Sequence, residues 1–512
     1  MPSPRPDPKP ATYAFFFGAF ALILLALHEP CLTLPYFWDE MGQFVPAALD
    51  ILRDNAWIPH STLPNVHPPG VMAYLALVWS AVGYSVLATR VAMLAVAAAG
   101  LVGVFLLSIE LCRGLRGTPA FAPVLLLFAS PLFYTQAMMA QLDMPAMVLT
   151  VFALLLFLQN RIAWCAVVCV ALVLVKETGV LAPALFAFFL VREKRWKEAA
   201  AFVPSVIALA IWLVVLKQHT GQLFGNREFT QYNVWFPLHP ARLSTSLFRR
   251  FFYVFADNLH VIGTIAIVLA WRRTDVFRNR AWAIAASFGI LHILMVSVLG
   301  GAGLERYLLP ALPVFYIAVG AAWTTLPKTQ ARWSQVAMLA GLIGGLFWNP
   351  PWPFPFENNL AAVDFVRLQK EAAVFVEERY SGKVIASAWP FPDSLRRPEF
   401  GYVSHPLQVK GLEDFHRSSV LALQSDPPPV LVVYSRTWEP KWGILQSEAI
   451  LNFLKTYYLY EPQITDGEIY TSLGLLPVAR WERRGQWIEV LAKPDANVPV
   501  LVQWRKPSAS NW

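Results

Sequence analysis

Charged residues are scarce in this 512-residue chain: only 14% of the sequence is Asp, Glu, Lys or Arg, whereas 56% is hydrophobic. Soluble domains carry about 25% charged residues, so the composition excludes an ordinary soluble globular protein. The mean hydropathy of +0.47 indicates a chain that is largely embedded in lipid. The 20 Trp residues fit a protein with many membrane–water interfaces, where amphipathic aromatic rings concentrate.

Cysteine is also rare, and its spacing excludes two further classes of protein. The four cysteines form no CxxC pair and no Cys/His cluster, which argues against a disulfide framework and against a structural zinc site. A Gly-rich phosphate loop is missing as well, so nothing in the sequence predicts a nucleotide-binding site. The net charge of +8 comes from basic residues in short loops between apolar runs, a pattern that indicates membrane topology rather than nucleic-acid binding.

Long apolar runs are abundant, and they predict a bundle of about eleven membrane-spanning helices. The runs are residues 13–27, 87–111, 120–137, 144–158, 162–175, 179–191, 199–216, 259–271, 281–299, 307–326 and 336–348. We interpret the first run as an uncleaved span, because no small-residue cleavage site follows it. The apolar run 70–84 is short and follows two prolines; counting it as a span would move the basic clusters outside, against the positive-inside rule. We therefore expect it to be a re-entrant or interfacial helix.

This topology has the N-terminus in the cytoplasm and brings the polar loops to the extracytoplasmic face. Those loops are residues 31–69, 136–143, 176–179, 217–258 and 300–306. Residues 1–350 are then the membrane domain, and residues 351–512 are a small extracytoplasmic α/β domain. In that domain we predict a helix at 364–380, strands at 384–388, 430–434, 469–473, 478–482 and 487–491, and a hairpin turn at Arg484-Gly485.

Three acidic residues in the outer loops are candidates for catalysis. Asp39 and Glu40 follow an aromatic pair just beyond the first span, where they could serve as general base and orienting partner. The alternative is that Asp39 caps a helix that begins near Glu40. Asp143 stands at the predicted start of a helix, and it too could be a cap; against this, an acid at the mouth of a membrane helix is costly unless it faces a polar cavity.

Basic residues in the same loops are candidates for binding a phosphate. Lys176 and Glu177 interrupt a long apolar stretch, where they form either a tight outer turn or an intramembrane ion pair. Lys176 could be a cation for a phosphate, and the alternative is a solvated turn. Arg306, beside Tyr307, could clamp a phosphate bidentately or could snorkel at a helix mouth. His67 could be a ligand or a proton donor, although a lone histidine is more often neither. The loop 217–258 mixes aromatic residues with basic ones, Arg249 and Arg250 among them, which suits a lipid phosphate or a sugar ring but equally any loop that contacts anionic lipid.

The order and spacing of these motifs are more specific than any one of them. Asp-Glu at 39–40, His-Pro-Pro-Gly at 67–70, Leu-Asp-Met-Pro at 142–145, Lys-Glu-Thr-Gly at 176–179 and Arg-Tyr-Leu-Leu-Pro at 306–310 occur in sequence. In this order the chain resembles the C-type (GT-C) membrane glycosyltransferases, in particular the protein O-mannosyltransferase and lipid A aminoarabinose transferase branch. The resemblance covers about residues 13–348, and the tail looks like the extracytoplasmic domain of bacterial members.

The resemblance implies an enzyme that moves a monosaccharide from an undecaprenyl- or dolichyl-phosphate donor to an extracytoplasmic glycan, lipid or protein. By the same resemblance, Asp39 would be the general base, Glu40 would orient the acceptor or the sugar, and Asp143 would be a second acid at the sugar. Lys176 and Arg306 would hold the donor phosphate, whose charge as leaving group needs cations. One base and one displacement imply inversion at the anomeric carbon.

Tyr307 and His67 are expected on the donor side of that site, although some aminoarabinose transferases carry an acid or a lysine where this chain has His67. The resemblance implies no certain cofactor. Some relatives bind a divalent metal, which stays open for this chain, although the sequence offers no second ligand to pair and no metal ligand is assigned. The DxD motif of the more distant oligosaccharyltransferases is reduced here to Gln141-Leu142-Asp143, which argues against metal-dependent transfer of a whole oligosaccharide. The expected partners are the lipid-linked donor, the acceptor and membrane lipids, without nucleic acid.

Two other classes of function remain open at this stage. A transporter or flippase of lipid-linked or amphiphilic substrates would also use intramembrane charge and broken helices, but the sequence contains no convincing internal repeat. A receptor or scaffold that works through the tail would predict that Asp39 and Asp143 are dispensable.

Overall fold

The computed structural model describes residues 10–115, 119–301, 303–436, 439, 442–494 and 503–504. The chain divides into two compact units. The first unit contains Met1–Glu29, Pro46–Tyr84 and Ala88–Leu346, and the second contains Pro30–Val45, Ser85–Leu87 and Phe347–Trp512. The prediction of a boundary at residue 350 took no account of the two early segments, one of which carries Asp39 and Glu40.

The first unit is built of helices. They are α1 (Pro10–His28), α2 (Val45–Asp54), α3 (Gly70–Val82), α4 (Val86–Leu111), α5 (Phe121–Ala129), α6 (Pro131–Gln136), α7 (Asp143–Leu158), α8 (Ile162–Val175), α9 (Leu181–Arg192), α10 (Trp196–Ala200), α11 (Val203–Thr220), α12 (Arg227–Thr230), α13 (Pro240–Phe255), α14 (His260–Arg273), α15 (Arg280–Val298), α16 (Leu312–Trp323) and α17 (Lys328–Phe347). Each of the eleven predicted apolar runs contains helix, and the short run 70–84 forms α3.

Among the described residues, five helical segments are long and apolar enough to cross a membrane: Ala11–Cys31, Val86–Leu111, Trp196–Thr220, Pro240–Arg273 and Arg280–Val298. Four apolar helices are shorter: Gly70–Val82, Asp143–Leu158, Ile162–Val175 and Leu312–Trp323. Lipid offers backbone groups no hydrogen bonds, so apolar runs satisfy them within a helix. The chain is a multi-pass membrane protein, and the predicted mainly α membrane bundle is confirmed.

The structure corrects two details of the membrane prediction. The run 120–137 is not one helix but two, α5 and α6, because Ser130 is extended (φ −63°, ψ 125°) ahead of Pro131. The loop 217–258 contains the 16-residue helix α13, which is separated from α14 by left-handed backbone at Asn258 and Leu259.

The second unit contains a mixed sheet with helices against it. Its helices are α18 (Ala361–Tyr380), α19 (Phe391–Arg396), α20 (Arg417–Leu421), α21 (Glu448–Tyr458) and α22 (Asp466–Leu473). Its strands are β1 (Ile385–Ala388), β2 (Val409–Leu412), β3 (Val430–Tyr434), β4 (Leu476–Arg483), β5 (Gln486–Ala492) and β6 (Gln503–Trp504), in the order β2-β1-β3-β5-β4-β6. The pairs β1–β2, β1–β3 and β4–β6 are parallel, whereas β3–β5 and β4–β5 are antiparallel.

The predicted α/β class of the tail is confirmed, and so is the hairpin turn between β4 and β5. Arg484 and Gly485 both have positive φ, 44° and 79°, as a tight two-residue hairpin turn requires. The predicted strand at 469–473 is wrong, because this segment lies in α22. Thr465 and Glu468 form a reciprocal capping box at its start, and the left-handed Gly474 ends it, so local caps outweigh the apolar run.

Candidate active site

Three of the predicted site residues meet in the first unit. Asp143 is the first residue of α7, Lys176 directly follows α8, and Arg306 lies in the turn that precedes α16. Lys176 Nζ pairs with Asp143 Oδ1, and Arg306 Nε lies 3.1 Å from Asp143 Oδ2. All three side chains are between 4% and 7% exposed. Both oxygens of one carboxylate are therefore engaged by the two cations that were predicted to hold a phosphate.

The meeting of Asp143 and Lys176 follows from the connection between α7 and α8. The two helices pack against each other and are joined by the short segment from Gln159 to Arg161. Consecutive helices with a short connection run antiparallel. The first residue of α7 and the residue after α8 consequently lie at the same end of the bundle, although 33 positions separate them.

The buried positions remove three of the alternative interpretations. Leu142, not Asp143, occupies the cap position of α7, and the Asp143 carboxylate points to cations rather than to the helix backbone. Lys176 is too buried to belong to a solvated turn, and Arg306 is ion-paired inside the unit rather than snorkelling to its surface. The remaining structural alternative is a buried ion-pair network, which the three side chains do form, and their catalytic and phosphate-binding roles stay predictions.

Tyr307 is a shared neighbour of several cations. Lys176 Nζ lies 4.3 Å from the centroid of its ring, and the guanidinium carbons of Arg306 and Arg250 lie at 5.5 Å and 5.6 Å. Cations are attracted to the face of an aromatic ring, so the Tyr307 ring helps to hold these charges together. The family resemblance implies Tyr307 at the donor side, whereas the sequence places Arg250 only in a mixed basic and aromatic loop.

Arg250 and Arg249 extend the charged cluster. Arg250 is buried in α13 and donates hydrogen bonds to the carbonyl oxygens of Leu304 (3.1 Å) and Gly300 (3.4 Å), whereas Arg249 pairs with the buried Glu305. Arg250 thus holds the loop that leads into the Arg306 turn. A signal for it was present in the sequence, since an Arg-Arg pair within an otherwise aromatic helix needs a polar partner inside the bundle.

The cluster as a whole carries more positive than negative charge. Its members are Lys176, Arg249, Arg250 and Arg306 against Asp143 and Glu305. Uncompensated charge in a buried site is costly. Glu177, beside Lys176, offsets one more of these positive charges, and the described side chains still keep a positive excess. That excess suits a phosphate, which is negatively charged and accepts charge-assisted hydrogen bonds.

His67 joins a different partner. Its Nδ1 lies 2.8 Å from Glu177 Oε2, which binds the His-Pro-Pro-Gly motif to the Lys-Glu-Thr-Gly motif. Burial alone would raise the pKa of Glu177, but the charges of His67 and Lys176 outweigh it and lower this pKa to about 2. Glu177 is therefore a carboxylate at neutral pH, and it compensates charge beside Lys176.

The glycines of these two motifs allow the close approach. A Cβ atom at Gly70 would lie 2.5 Å from the carbonyl oxygen of Leu174, and one at Gly179 would lie 2.6 Å from Leu172 Cγ. The start of α3 thus packs directly on the end of α8. Only residues without a side chain fit at these two positions, which explains glycine in both motifs.

Asp39 and Glu40 belong to the second unit. Glu40 is buried, and its Oε2 accepts a hydrogen bond from the backbone nitrogen of Phe37 at 2.7 Å, so this side chain holds its own turn. Trp38 has left-handed backbone (φ 39°) and packs edge-on against Trp389 at 4.7 Å. Asp39 precedes the helical turn 40–44 but makes no capping hydrogen bond to it, so the capping alternative is not seen. The predicted meeting of Asp39 with Asp143, Lys176 and Arg306 stays a prediction.

A possible cation site lies elsewhere in the first unit. Asp50 and Asp54 occupy one face of α2, and with His60 they offer three ligand atoms within 4.8 Å of one another. Such groups are common on protein surfaces without an ion. The group includes none of the predicted site residues, and the sequence signal was the i, i+4 spacing of its two carboxylates.

Comparison with known proteins supports the fold. No protein-family sequence model matches the chain, and no curated protein matches it in sequence. The crystal structure of ArnT from Cupriavidus metallidurans bound to undecaprenyl phosphate is similar, with a TM-score of 0.57 at 14% identity, covering 95% of this chain and 100% of that chain. The apo structure of the same protein gives 0.56 at 16% identity, covering 95% and 99%.

The arabinofuranosyltransferase AftD from Mycobacteria is a third similar structure, with a TM-score of 0.46 at 14% identity over 96% of this chain and 40% of that chain. The likeness to ArnT extends over nearly the whole of both chains. It shows that the chain has the fold of the C-type membrane glycosyltransferases, and the resemblance stated from the sequence motifs is thereby confirmed at the level of fold.

Proposed function

We propose that the protein is a membrane glycosyltransferase that moves a monosaccharide from a polyprenyl-phosphate donor to an extracytoplasmic acceptor. The observation that carries the proposal is the buried cluster in which Lys176 and Arg306 converge on Asp143 with positive charge in excess. The fold supports it, because one of the similar ArnT structures holds undecaprenyl phosphate. A cation-rich pocket in a membrane bundle suits a phosphate that is anchored to lipid.

The reaction is a single displacement at the anomeric carbon. Asp39 accepts the proton of the acceptor hydroxyl as its oxygen forms a bond to that carbon, and Glu40 holds the turn that presents Asp39. The bond from the anomeric carbon to the phosphate oxygen breaks, and the polyprenyl phosphate leaves with the bonding electron pair. Lys176 and Arg306 stabilise the charge that develops on the leaving phosphate. Attack from the face opposite the leaving group inverts the anomeric configuration.

The ion pairs of Asp143 also affect how the lipid-linked donor can bind. The Asp143 carboxylate is ion-paired with both Lys176 and Arg306 in this structure. An entering phosphate therefore has to share these two cations with Asp143 or displace its carboxylate. The sugar follows the phosphate into the same site, which brings Asp143 into contact with sugar hydroxyls. We assign to Asp143 the position of second acid at the sugar, as the resemblance implies.

The donor can enter from the bilayer. An apolar cavity of about 330 Å³ lies among α13, α14, α15 and α16, and Trp271, Ile290, Val314 and Phe315 are among the residues that line it. Ala311, five positions after Arg306 along the chain, is one of its lining residues. A polyprenyl tail in this cavity would have its phosphate end close to the cation cluster. The basic loops orient the N-terminus toward the cytoplasm and the site toward the extracytoplasmic side, which is the periplasm in a Gram-negative bacterium.

Transfer of labelled sugar from polyprenyl-phosphate sugars, measured in membranes with equal protein levels, tests the proposal. We expect Asp39→Asn to lower the rate by about 10²–10⁴-fold, the usual contribution of a general base. Glu413→Gln, which removes one exposed carboxylate from the same unit, is the matched control and should leave the rate unchanged. Equal turnover in the Asp39→Asn variant would remove the assigned base, and movement of intact donor across the membrane without bond cleavage would favour the transport alternative.

A further inference from the structure

Gln141 is a fully buried side chain at the edge of the cation cluster. Its Oε1 accepts a hydrogen bond from Arg306 Nη1 at 2.8 Å. Because a guanidinium group only donates, this contact determines which end of the amide faces Arg306. The carbonyl oxygen points to Arg306, and Nε2 points away from it. Within the described residues, Nε2 has no hydrogen-bond acceptor.

An amide donor that is buried without an acceptor is unfavourable, and such groups are rare in folded proteins. The cationic neighbours cannot satisfy it, since lysine and arginine side chains have no acceptor atoms. The nearby carboxylate of Asp143 already pairs with Lys176 and Arg306. What the site lacks is therefore an anion with spare acceptor oxygens, which is also what its excess positive charge favours.

We propose that Gln141 Nε2 donates a hydrogen bond to a phosphate oxygen of the polyprenyl-phosphate donor. This inference rests on the proposed function. It adds a neutral, directional hydrogen-bond donor to the phosphate site that is formed by the two cations Lys176 and Arg306. Point charges attract any anion, whereas a planar amide held by Arg306 donates in one direction only. Gln141 consequently makes the site specific for a lipid that ends in phosphate over the same lipid that ends in a hydroxyl.

Two substitutions of Gln141 test the hydrogen-bond donor Nε2 separately from the other contacts of this side chain. Gln141→Glu keeps the length of the side chain and its acceptor for Arg306 but replaces the N–H donor by an oxygen. Gln141→Met keeps the length and adds no charge but removes both polar atoms. The two variants have one change in common, which is the loss of the Nε2 hydrogen-bond donor. Gln136→Met is the matched control, because Gln136, five positions earlier at the end of α6, is equally buried and its unsatisfied atom is an acceptor, Oε1.

The experiment measures binding of undecaprenyl phosphate and of undecaprenol to the full-length protein in lipid nanodiscs. We expect both Gln141 variants to bind undecaprenyl phosphate about 10-fold or more weakly than the wild type, as for loss of a hydrogen bond to a charged group. Their affinity for undecaprenol should stay unchanged, and Gln136→Met should match the wild type with both lipids. The ratio of the two affinities is the readout, because a purely structural role would lower both.

Wild-type affinity for undecaprenyl phosphate in both Gln141 variants would overturn the inference and leave the proposed function standing. An equal loss for the two lipids would overturn it as well, since it would show a packing role. A wild-type protein that binds undecaprenyl phosphate no more tightly than undecaprenol would contradict the proposed function itself.

Discussion

The two units use charged residues in different ways. In the first unit, Asp143, Lys176 and Arg306 are drawn from distant parts of the chain and buried together. In the second unit, ion pairs keep at least one partner partly exposed: the glutamate of Arg436–Glu439 is 24% exposed, and the side chains of Lys410–Asp426 are 40% and 86% exposed. Exposed pairs contribute little to stability, whereas buried charges are costly and rarely retained without a purpose. We therefore propose that the buried cluster serves binding or catalysis rather than folding.

The largest effect is expected where a buried charge loses its partner. Lys176→Met would leave Asp143 with Arg306 alone, so we expect the free energy of unfolding to fall by about 3–5 kcal/mol. The rate of sugar transfer should fall at least about 100-fold, because the leaving phosphate loses a cation. Thermal unfolding of the full-length protein and the transfer assay measure the two effects.

Lys410→Met in the second unit is the control for that comparison. It should lower the free energy of unfolding by less than about 1 kcal/mol and leave transfer unchanged, since its ion pair is exposed. Equal losses in Lys176→Met and Lys410→Met would mean that the two kinds of ion pair do not differ as we infer.

A smaller effect is expected from crowding a motif glycine. Gly70→Ala would place a Cβ atom 2.5 Å from the backbone oxygen of Leu174, and backbone cannot move aside as a side chain does. We expect a loss of about 1–3 kcal/mol in the free energy of unfolding. Gly467→Ala in α22 of the second unit is the control, because nothing lies within 4 Å of that position and alanine favours a helix. If both variants unfold at the wild-type temperature, the packing of α3 on α8 is looser than described.

The second unit also contains several buried carboxylates, and one of them, Glu489 in β5, provides a pH test. Burial raises the pKa of Glu489 to about 7; nearby Asp466 acts in the same direction, and Arg480 opposes it. The folded unit therefore binds this proton more tightly than the unfolded chain does, where the ordinary value is 4.5. The stabilisation is fully present below about pH 4.5 and is lost as the pH rises through about 7.

Glu489→Gln should remove this pH dependence. Between pH values of about 5 and 8 we expect the wild type to lose roughly 1–3 kcal/mol more stability than the variant does. Unfolding curves of the full-length protein at several pH values measure the slope. Parallel pH profiles in both proteins would show that Glu489 titrates at its ordinary value. Transfer by the variant should match the wild type, since the residue lies outside the proposed site.

The smallest effect concerns competition inside the buried cluster. If Asp143 shares its two cations with the donor phosphate, Asp143→Asn should bind undecaprenyl phosphate about 3–10-fold more tightly at low salt, the size of a screened charge–charge interaction. Asp54→Asn, an exposed acid of the same unit, should not change the affinity. Weaker binding by Asp143→Asn would show that the carboxylate supports the phosphate site instead of competing with it.

The sequence predicted the helices well and the irregular elements less well. Long apolar runs are reliable signals because lipid demands both an apolar surface and a backbone that is hydrogen-bonded within the segment. The break between α5 and α6 is not predicted, because the run 120–137 is apolar almost throughout. Only the proline after Ser130, which favours an extended conformation for the residue before it, signals the break. The apolar run 469–473 by itself predicts a strand, but the capping box formed by Thr465 and Glu468 starts a helix there.

The sequence by itself determined that the protein is a multi-pass membrane protein with an α/β tail, and which polar motifs interrupt its apolar runs. Only the tertiary structure decided which of those motifs meet. Asp143 and Lys176 are 33 positions apart, and Gln141 and Arg306 are 165 apart, yet both pairs are in contact. The physical reason is that periodicity and hydrophobicity specify the faces and ends of single helices. Contacts between helix ends depend instead on how the helices pack. That packing depends on single atoms, since a Cβ atom at Gly70 or Gly179 would already collide with α8.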